Sequence, residues 1–285
     1  MASSTFTKHT SGRPARWEVA GLRWLADAIP AGGASIVDVV STDESTLTER
    51  RVESSSPSLD AATDFGRRLA ITHSLDDPAR WGQGPPGWEG PGYQGPNEHL
   101  LDLSLVGHDT WGEMYADERL MPLLPDSGLR GGDARIVEKL CERLREGDFD
   151  TDDAPARLHG DLWSGNVMWS PDGCVLIDPS AHVGHRETDL AALALFGSPY
   201  LDRILEGYQQ TIRWHTAGAN ACRCTTCRWC SCTPWCSAAG TAGRWSRSRA
   251  ATCDLGSQRS LNQPSFFARQ AISSQYPQLW VPTRG

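Results

Sequence analysis

The sequence predicts an α+β protein with a small N-terminal sheet, a larger helical part and an irregular C-terminal tail. Short runs rich in β-branched residues come first, and longer runs with helical spacing of apolar residues follow them. Residues 212–285 break both patterns. The chain of 285 residues is long enough to bury a sizeable core, and it has no apolar run of the length that a membrane-spanning helix needs.

The first 52 residues predict a sheet of short strands with one helix. Residues 4–8 predict a strand, and residues 35–40 and 45–49 predict two more. Residues 15–28 predict a helix because their apolar residues recur at positions i, i+3, i+4 and i+7. An acidic, Ser-rich stretch at 53–60 then predicts a linker or turn.

From residue 60 onward the pattern is mostly helical. Apolar spacing predicts helices at 60–76, 109–124 and 132–146, and another that ends near Tyr208. Residues 81–97 are too rich in Gly and Pro for regular structure and predict a loop. We therefore expect a small first domain, a helical second domain and a tail that is not a domain, at residues 1–52, 53–211 and 212–285.

Charge and composition divide the chain sharply near residue 211. Residues 1–211 hold 34 of the 35 acidic residues and carry a net charge of −16, whereas residues 212–285 carry +8 and seven of the nine Cys. The acidic body argues against nucleic acid as a partner. The N-terminus has no apolar segment typical of a secretory signal, so we expect a cytoplasmic protein with no membrane partner.

The composition of the tail has three explanations. A frameshift near residue 212 is the leading one, because the tail is rich in Arg, Cys, Trp, Ser and Thr and lacks a helical apolar period. A zinc module is the second, but its six cysteines between Cys222 and Cys236 are more crowded than the two separated CxxC pairs of a zinc ribbon. A disulfide framework is the third, and it does not suit a chain without an export signal.

The segment 159–178 carries the strongest chemical signal. Asp161 follows His-Gly, Asn166 comes five residues later, and Asp178 ends an apolar strand that a Pro-Asp-Gly turn precedes. Each residue alone is a common turn residue. Together they can bring three oxygen ligands to one point, as Mg²⁺-dependent phosphoryl transfer requires: an acid that accepts the hydroxyl proton, and an amide and a second acid that hold the metal.

Two motifs resemble the fructosamine kinase (ketosamine-3-kinase) family, in the aminoglycoside phosphotransferase branch of the protein-kinase-like fold. They are HGDLWSGNVMW and LIDPSAHVGHRETDLAAL, and similarity extends over roughly residues 5–210. The resemblance implies a two-lobe fold with a mostly helical C-lobe, ATP and Mg²⁺ as cofactors, and a small-molecule ketosamine or glycated amine as substrate. An aminoglycoside- or choline-type phosphotransferase is the alternative within this fold. Nothing in the sequence predicts the oligomeric state.

On the nucleotide side, the resemblance implies three roles. Lys8 matches the strand lysine that grips the α- and β-phosphates, and Glu18 matches the helix glutamate that pairs with it. Glu49 begins the segment that matches the hinge, so backbone near 49–51 is expected to contact adenine. Taken alone, Lys8 and Glu18 are also compatible with ordinary solvated surface charges.

On the substrate side, the resemblance assigns Asp161 as the catalytic base and Asn166 and Asp178 as the Mg²⁺ ligands. Trp163 is expected to line the sugar pocket, where its ring would face the apolar side of a hexose. Asp189 is expected to anchor the backbone of the catalytic loop. The block at 185–187, with Arg186 at its centre, could likewise anchor the loop or contact substrate, and His185 and Glu187 are its candidate substrate contacts.

The chain also departs from the family pattern. The family has two strands and a Gly-rich phosphate loop before the strand lysine, whereas Lys8 is only seven residues from Met1. We therefore expect an incomplete N-lobe sheet without that loop. This departure favours a third interpretation, a catalytically inactive remnant, which the set of Asp161, Asn166 and Asp178 argues against.

Overall fold

In the computed structural model, residues 4–10, 12–75, 80–95 and 100–212 are described, and they form the predicted α+β fold. The tail beyond Ile212 lies outside the described residues. Its expected irregularity, the frameshift and the zinc and disulfide alternatives are therefore not tested.

The described residues include six α-helices. The first begins near the start of the chain, the second follows the acidic linker, and the last two come after the segment 159–178. They are α1 (Gly12–Ala26), α2 (Leu59–His73), α3 (Trp111–Tyr115), α4 (Gly132–Arg145), α5 (Glu187–Phe196) and α6 (Leu201–Thr211).

Within the described ranges, ten short strands form four small sheets. Their bounds are β1 (Thr5–His9), β2 (Ser35–Ile36), β3 (Val39–Thr42), β4 (Thr46–Arg50), β5 (Gly92–Gln94), β6 (Leu101–Leu103), β7 (Ala156–Leu158), β8 (Val167–Ser170), β9 (Gly173–Leu176) and β10 (His182–Gly184). The sheets have the orders β1-β4-β3, β2-β9-β8, β5-β6 and β7-β10.

The N-terminal sheet places two charged side chains on one face. Strands β1 and β4 pair antiparallel, with Lys8 opposite Leu47 and Phe6 opposite Glu49. Residues directly opposite each other on paired strands have their side chains on the same face of the sheet, and so do residues two apart on one strand. Lys8 and Glu49 are therefore diagonal neighbours on the same face.

The predicted strand at 35–40 is instead two strands that belong to different sheets. Strand β2 pairs parallel with β9, where Ser35 faces Val175 and Ile36 faces Leu176, and β3 pairs with β4 in the N-terminal sheet. Val37 donates a backbone hydrogen bond of 3.0 Å to the carbonyl of Leu176. The first 52 residues thus contribute a strand to the sheet of the second predicted domain.

Two other predicted elements differ in detail. The loop at 81–97 contains β5, which pairs antiparallel with β6, so a Gly- and Pro-rich segment still forms a short ladder. The helix at 109–124 is α-helical only to Tyr115 and continues as a π-helical turn over Ala116–Leu120. Apolar spacing does not distinguish these closely related helical geometries.

The main core lies where α2 and α6 pack against the β8–β9 hairpin. Its fully buried side chains include Phe65, Leu69, Leu176 and Tyr208. The two helices approach closely, since a Cβ atom added at Gly66 would lie 1.8 Å from the carbonyl oxygen of Ile204. A side chain at this position would force the helices apart.

A second cluster of buried side chains joins α3, the π-helical turn and α4, with Met114, Val137 and Leu144 among its members. The described part of the chain contains no helix with both the length and the apolar character needed to cross a bilayer.

We predict that His182 makes the fold sensitive to acid. Burial, with nearby Arg119 adding to it, lowers its pKa from 6.5 to about 4, and its Nδ1 lies 2.8 Å from the carbonyl oxygen of Ser180. Between these values the unfolded chain binds more protons than the folded one. Stability should therefore fall as pH drops through this window, by up to about 1.4 kcal/mol per pH unit.

Chemical denaturation at several pH values measures this effect. His182→Asn keeps a donor for the carbonyl but cannot titrate, so its free energy of unfolding should depend less steeply on pH between 6.5 and 4. His9→Asn, at an exposed histidine, is the matched control and should retain the wild-type slope. An unchanged slope in His182→Asn would contradict the assignment.

Candidate active site

The loop that carries the predicted base, Asp161, is held by one buried carboxylate. Asp189, on α5, accepts the backbone N–H of His159 at 2.7 Å and that of Gly160 at 3.0 Å. Gly160 has φ of 79°, and a Cβ atom there would lie 2.0 Å from the carbonyl oxygen of Ser180. The predicted anchoring role of Asp189 is thus confirmed in its contacts, and the loop conformation requires glycine at 160.

Asp189 is itself fixed by a histidine that the sequence analysis did not select. His73, the last residue of α2, places Nε2 3.2 Å from Asp189 and Nδ1 2.8 Å from the hydroxyl of Tyr208. Burial alone would raise the pKa of Asp189, but His73 and His159 hold it below its ordinary value. The sequence feature that could have indicated this role is the position of His73, a polar residue, on the apolar face of α2.

Asn166 connects the two predicted acids. Its side-chain nitrogen donates to the Asp161 carbonyl at 2.8 Å, to the Asp161 carboxylate at 3.1 Å and to the backbone carbonyl of Asp178 at 3.4 Å. Because this nitrogen faces the protein, the amide oxygen is the atom left for a metal ion. The structure thus brings together the three residues on which the phosphoryl-transfer hypothesis rests.

Asp178 follows β9 with an unusual backbone. Its φ is 54°, in the left-handed region that residues other than glycine seldom adopt. Its side chain is about half exposed and contacts the ammonium group of Lys8. Backbone strain of this kind tends to occur at functional sites, where it aims a side chain.

Three carboxylates surround Lys8. Its ammonium nitrogen lies 2.6 Å from Glu18 on α1 and 3.0 Å from Glu49 on β4, and it also contacts Asp178. The predicted contact between Lys8 and Glu18 is therefore present, and the pair does face Asp178. The contact from the Glu49 side chain was not expected, because the sequence analysis considered only its backbone.

Burial and charge oppose each other in this cluster. Burial alone would lower the pKa of Lys8, but Glu18 and Asp178 raise it above its ordinary value. Burial raises the pKa of Glu18 to about 7 although Lys8 opposes the shift, and burial likewise raises that of Glu49. The lysine is thus firmly charged, whereas its buried partners are costly to ionise.

Backbone near the predicted hinge already makes protein contacts. The N–H of Arg50 donates to the carbonyl of Asp38 at 2.8 Å, and the N–H of Arg51 donates to that of Ser4 at 3.0 Å. The adenine contact expected at 49–51 stays a prediction, and these two donors would have to exchange partners to serve it.

Trp163 lies two residues after the predicted base and is partly buried. Its ring meets that of Phe196, on α5, edge-on at 6.3 Å and covers Gly165, where an added Cβ atom would lie 2.2 Å from the indole. These contacts fix the indole beside the loop that carries Asp161. Its predicted sugar contact stays a prediction.

His185 is buried in contacts that are typical of a structural role. It stacks on Trp81 at 6.2 Å, and its Nε2 lies 3.3 Å from a carboxylate oxygen of Asp153. Glu187 begins α5, and its backbone N–H lies 3.3 Å from His185 Nδ1. Substrate contact by His185 or by Glu187 stays a prediction, and the burial of the His185 side chain argues against contact between His185 and the substrate.

An open pocket of about 940 Å³ is lined largely by the Gly- and Pro-rich loop. Besides many loop residues, its wall includes two tryptophans, Trp24 and Trp88, and two carboxylates, Asp102 and Glu118. None of the predicted site residues is among the described residues that line it.

Residues 16–220 match the family model for fructosamine kinase. The ketosamine-3-kinase of Mus musculus is 37% identical over 95 residues, which cover 31% of this chain and 29% of that protein. A Klebsiella aerogenes protein assigned as a ketoamine kinase is 38% identical over 103 residues, which cover 35% and 34%. The matched segments span about a third of the length of these two curated relatives.

A solved structure resembles this one over most of the chain. It is a Thermobifida fusca protein assigned as a fructosamine-3-kinase, with 37% identity, a TM-score of 0.65 and coverage of 75% of this chain and 73% of that one. A Haemophilus somnus protein with the same assignment has a TM-score of 0.61 at 19% identity and supports the fold alone. Since the family model covers well over half of the sequence, the chain belongs to the fructosamine kinase family.

Proposed function

We propose that this chain transfers a phosphoryl group from ATP to a sugar hydroxyl of a ketosamine, such as a glycated amine or glycated lysine. The observation that carries the proposal is the convergence of Asp161, Asn166 and Asp178, with Lys8 in contact with the last of them. Family membership supports the same chemistry. We further propose the cytoplasm as its location, because ATP is an intracellular co-substrate.

In this proposal Asp161 is the catalytic base. The side-chain amide of Asn166 donates a hydrogen bond of 3.1 Å to one carboxylate oxygen of Asp161, and this bond orients the carboxylate. The sugar hydroxyl would donate its proton to this carboxylate as its oxygen attacks the terminal phosphorus of ATP. The bond from that phosphorus to the β,γ-bridging oxygen would break, and ADP would leave. Such catalysis rests more on positioning than on covalent chemistry, and the anchored loop supplies that positioning.

Lys8 is proposed to bind the phosphates, and its neighbours keep it charged at neutral pH. Asn166 and Asp178 are proposed to hold Mg²⁺. Their amide and carboxylate oxygens are the ligand types that this hard cation prefers, and a half-exposed carboxylate can reach a metal ion. Bound Mg²⁺ would neutralise charge that develops on the phosphate oxygens.

We predict that Asp161→Asn abolishes most of the activity while the protein still binds ATP. Removing a general base lowers kcat by roughly 100- to 10,000-fold, whereas nucleotide contacts at Lys8 and Asp178 would remain. The measurement is Mg²⁺- and ATP-dependent phosphorylation of a fructosylated amine, with nucleotide binding measured by calorimetry.

Asp172→Asn is the matched control, because this exposed carboxylate lies in the turn between β8 and β9. It should retain wild-type rates. A wild-type chain that binds Mg-ATP but phosphorylates no ketosamine would contradict the substrate assignment. A wild-type chain that does not bind the nucleotide at all would support the interpretation of the chain as an inactive remnant.

We predict that Trp163→Ala weakens binding of the sugar without affecting the nucleotide. An aromatic contact is worth on the order of 1 kcal/mol, so the KM for the ketosamine should rise roughly fivefold while the KM for ATP stays constant. Trp163→Phe keeps a flat ring and should recover much of the loss. Equal effects on both KM values would mean that the indole only supports the loop.

A further inference from the structure

Glu49 lies where it can act on Lys8 directly. Its side chain is 3% exposed, and both of its carboxylate oxygens lie within hydrogen-bonding distance of the ammonium nitrogen, at 3.2 and 3.0 Å. Glu49 comes from β4, whereas Glu18 comes from α1, so the lysine is held from two independent elements. The strand register explains the contact, since Lys8 and Glu49 share one face of the sheet.

From this geometry we infer that Glu49 is a positioning residue, which holds the ammonium group of Lys8 in place for the phosphates of the nucleotide. The inference rests on the proposed function and assigns a role to the Glu49 side chain instead of its backbone. It follows from a conflict over Asp178, which contacts Lys8 in this structure yet is the proposed metal ligand. When Asp178 binds the metal, Glu18 and Glu49 are the two remaining carboxylates on the lysine.

The carboxylates that contact Lys8 differ in burial, and this difference supports different roles for Asp178 and Glu49. The Asp178 side chain is 45% exposed and can turn towards a ligand, whereas that of Glu49 is enclosed and cannot leave. The net charge of the four groups is about −2 when all are ionised, so arrival of a cation at Asp178 would relieve repulsion among the carboxylates. Glu49 therefore restrains the lysine before and after the metal binds.

The test uses the fact that the chain has two lysines, Lys8 and the exposed Lys139 on α4. Limited acetylation followed by peptide mass spectrometry gives the ratio of labelling at Lys8 to that at Lys139 in the same molecule. We expect Glu49→Gln to raise this ratio roughly tenfold, because a charge-assisted hydrogen bond that restrains the amine is lost. The control is Glu44→Gln, at an exposed position in the turn between β3 and β4, the strand that carries Glu49.

Kinetics on the same variants separates positioning from structure. Glu49→Gln should lower kcat roughly tenfold at an unchanged KM for the ketosamine. Its melting temperature should stay close to that of the wild type, because the Gln side chain has nearly the same shape and keeps an amide oxygen that can accept from the ammonium group. A labelling ratio within twofold of the wild type would overturn the inference, and so would a loss of activity that only follows a loss of stability.

Failure of the proposed function has a different signature. Mg-ATP should protect Lys8 from acetylation in the wild-type chain, and absence of both protection and ketosamine phosphorylation would refute that function. The effect of Glu49→Gln on the labelling ratio without nucleotide would then still decide whether Glu49 holds the lysine.

Discussion

The hydrogen bonds that Asp189 accepts from the loop that carries Asp161 are the contacts on which the candidate site depends. Two successive backbone N–H groups, those of His159 and Gly160, point at its buried carboxylate. A buried anion is stable only when donors surround it, and the loop backbone and His73 together supply them. The same contacts that stabilise Asp189 therefore determine where Asp161 lies.

A second group of charges connects the N-terminal sheet to the β8–β9 hairpin. Lys8 comes from β1, and its partners come from α1, from β4 and from the residue after the hairpin, Asp178. The short parallel pairing of β2 with β9 joins the same two parts through the backbone. The candidate nucleotide side and the candidate metal side are thus joined by an ammonium group and a short ladder, in addition to the shared core in which Leu22 of α1 and Leu176 of β9 are buried.

The sequence was sufficient for features that depend on local spacing. The hairpin, the interval from Asp161 to Asn166 and the amphipathic helices all follow from periodicity and turn residues, and the contact of Lys8 with Glu18 followed from the family resemblance. The contacts of Glu49 and His73 were not predicted, because they join residues far apart in the chain. Likewise, the split at 35–40 depends on which sheet each half can pair with, and residue types alone do not decide that.

The backbone of Asp178 has a consequence for protein engineering. A left-handed conformation costs most residues about 1 to 2 kcal/mol, Asp tolerates it better than most, and glycine adopts it without that cost. Glycine at this position would also remove one of three crowded carboxylates. A variant library screened only for heat resistance would therefore enrich chains that lack this carboxylate. Such a screen on this scaffold needs a parallel selection for ligand binding, because chains that gain stability at this position would have lost the proposed metal ligand.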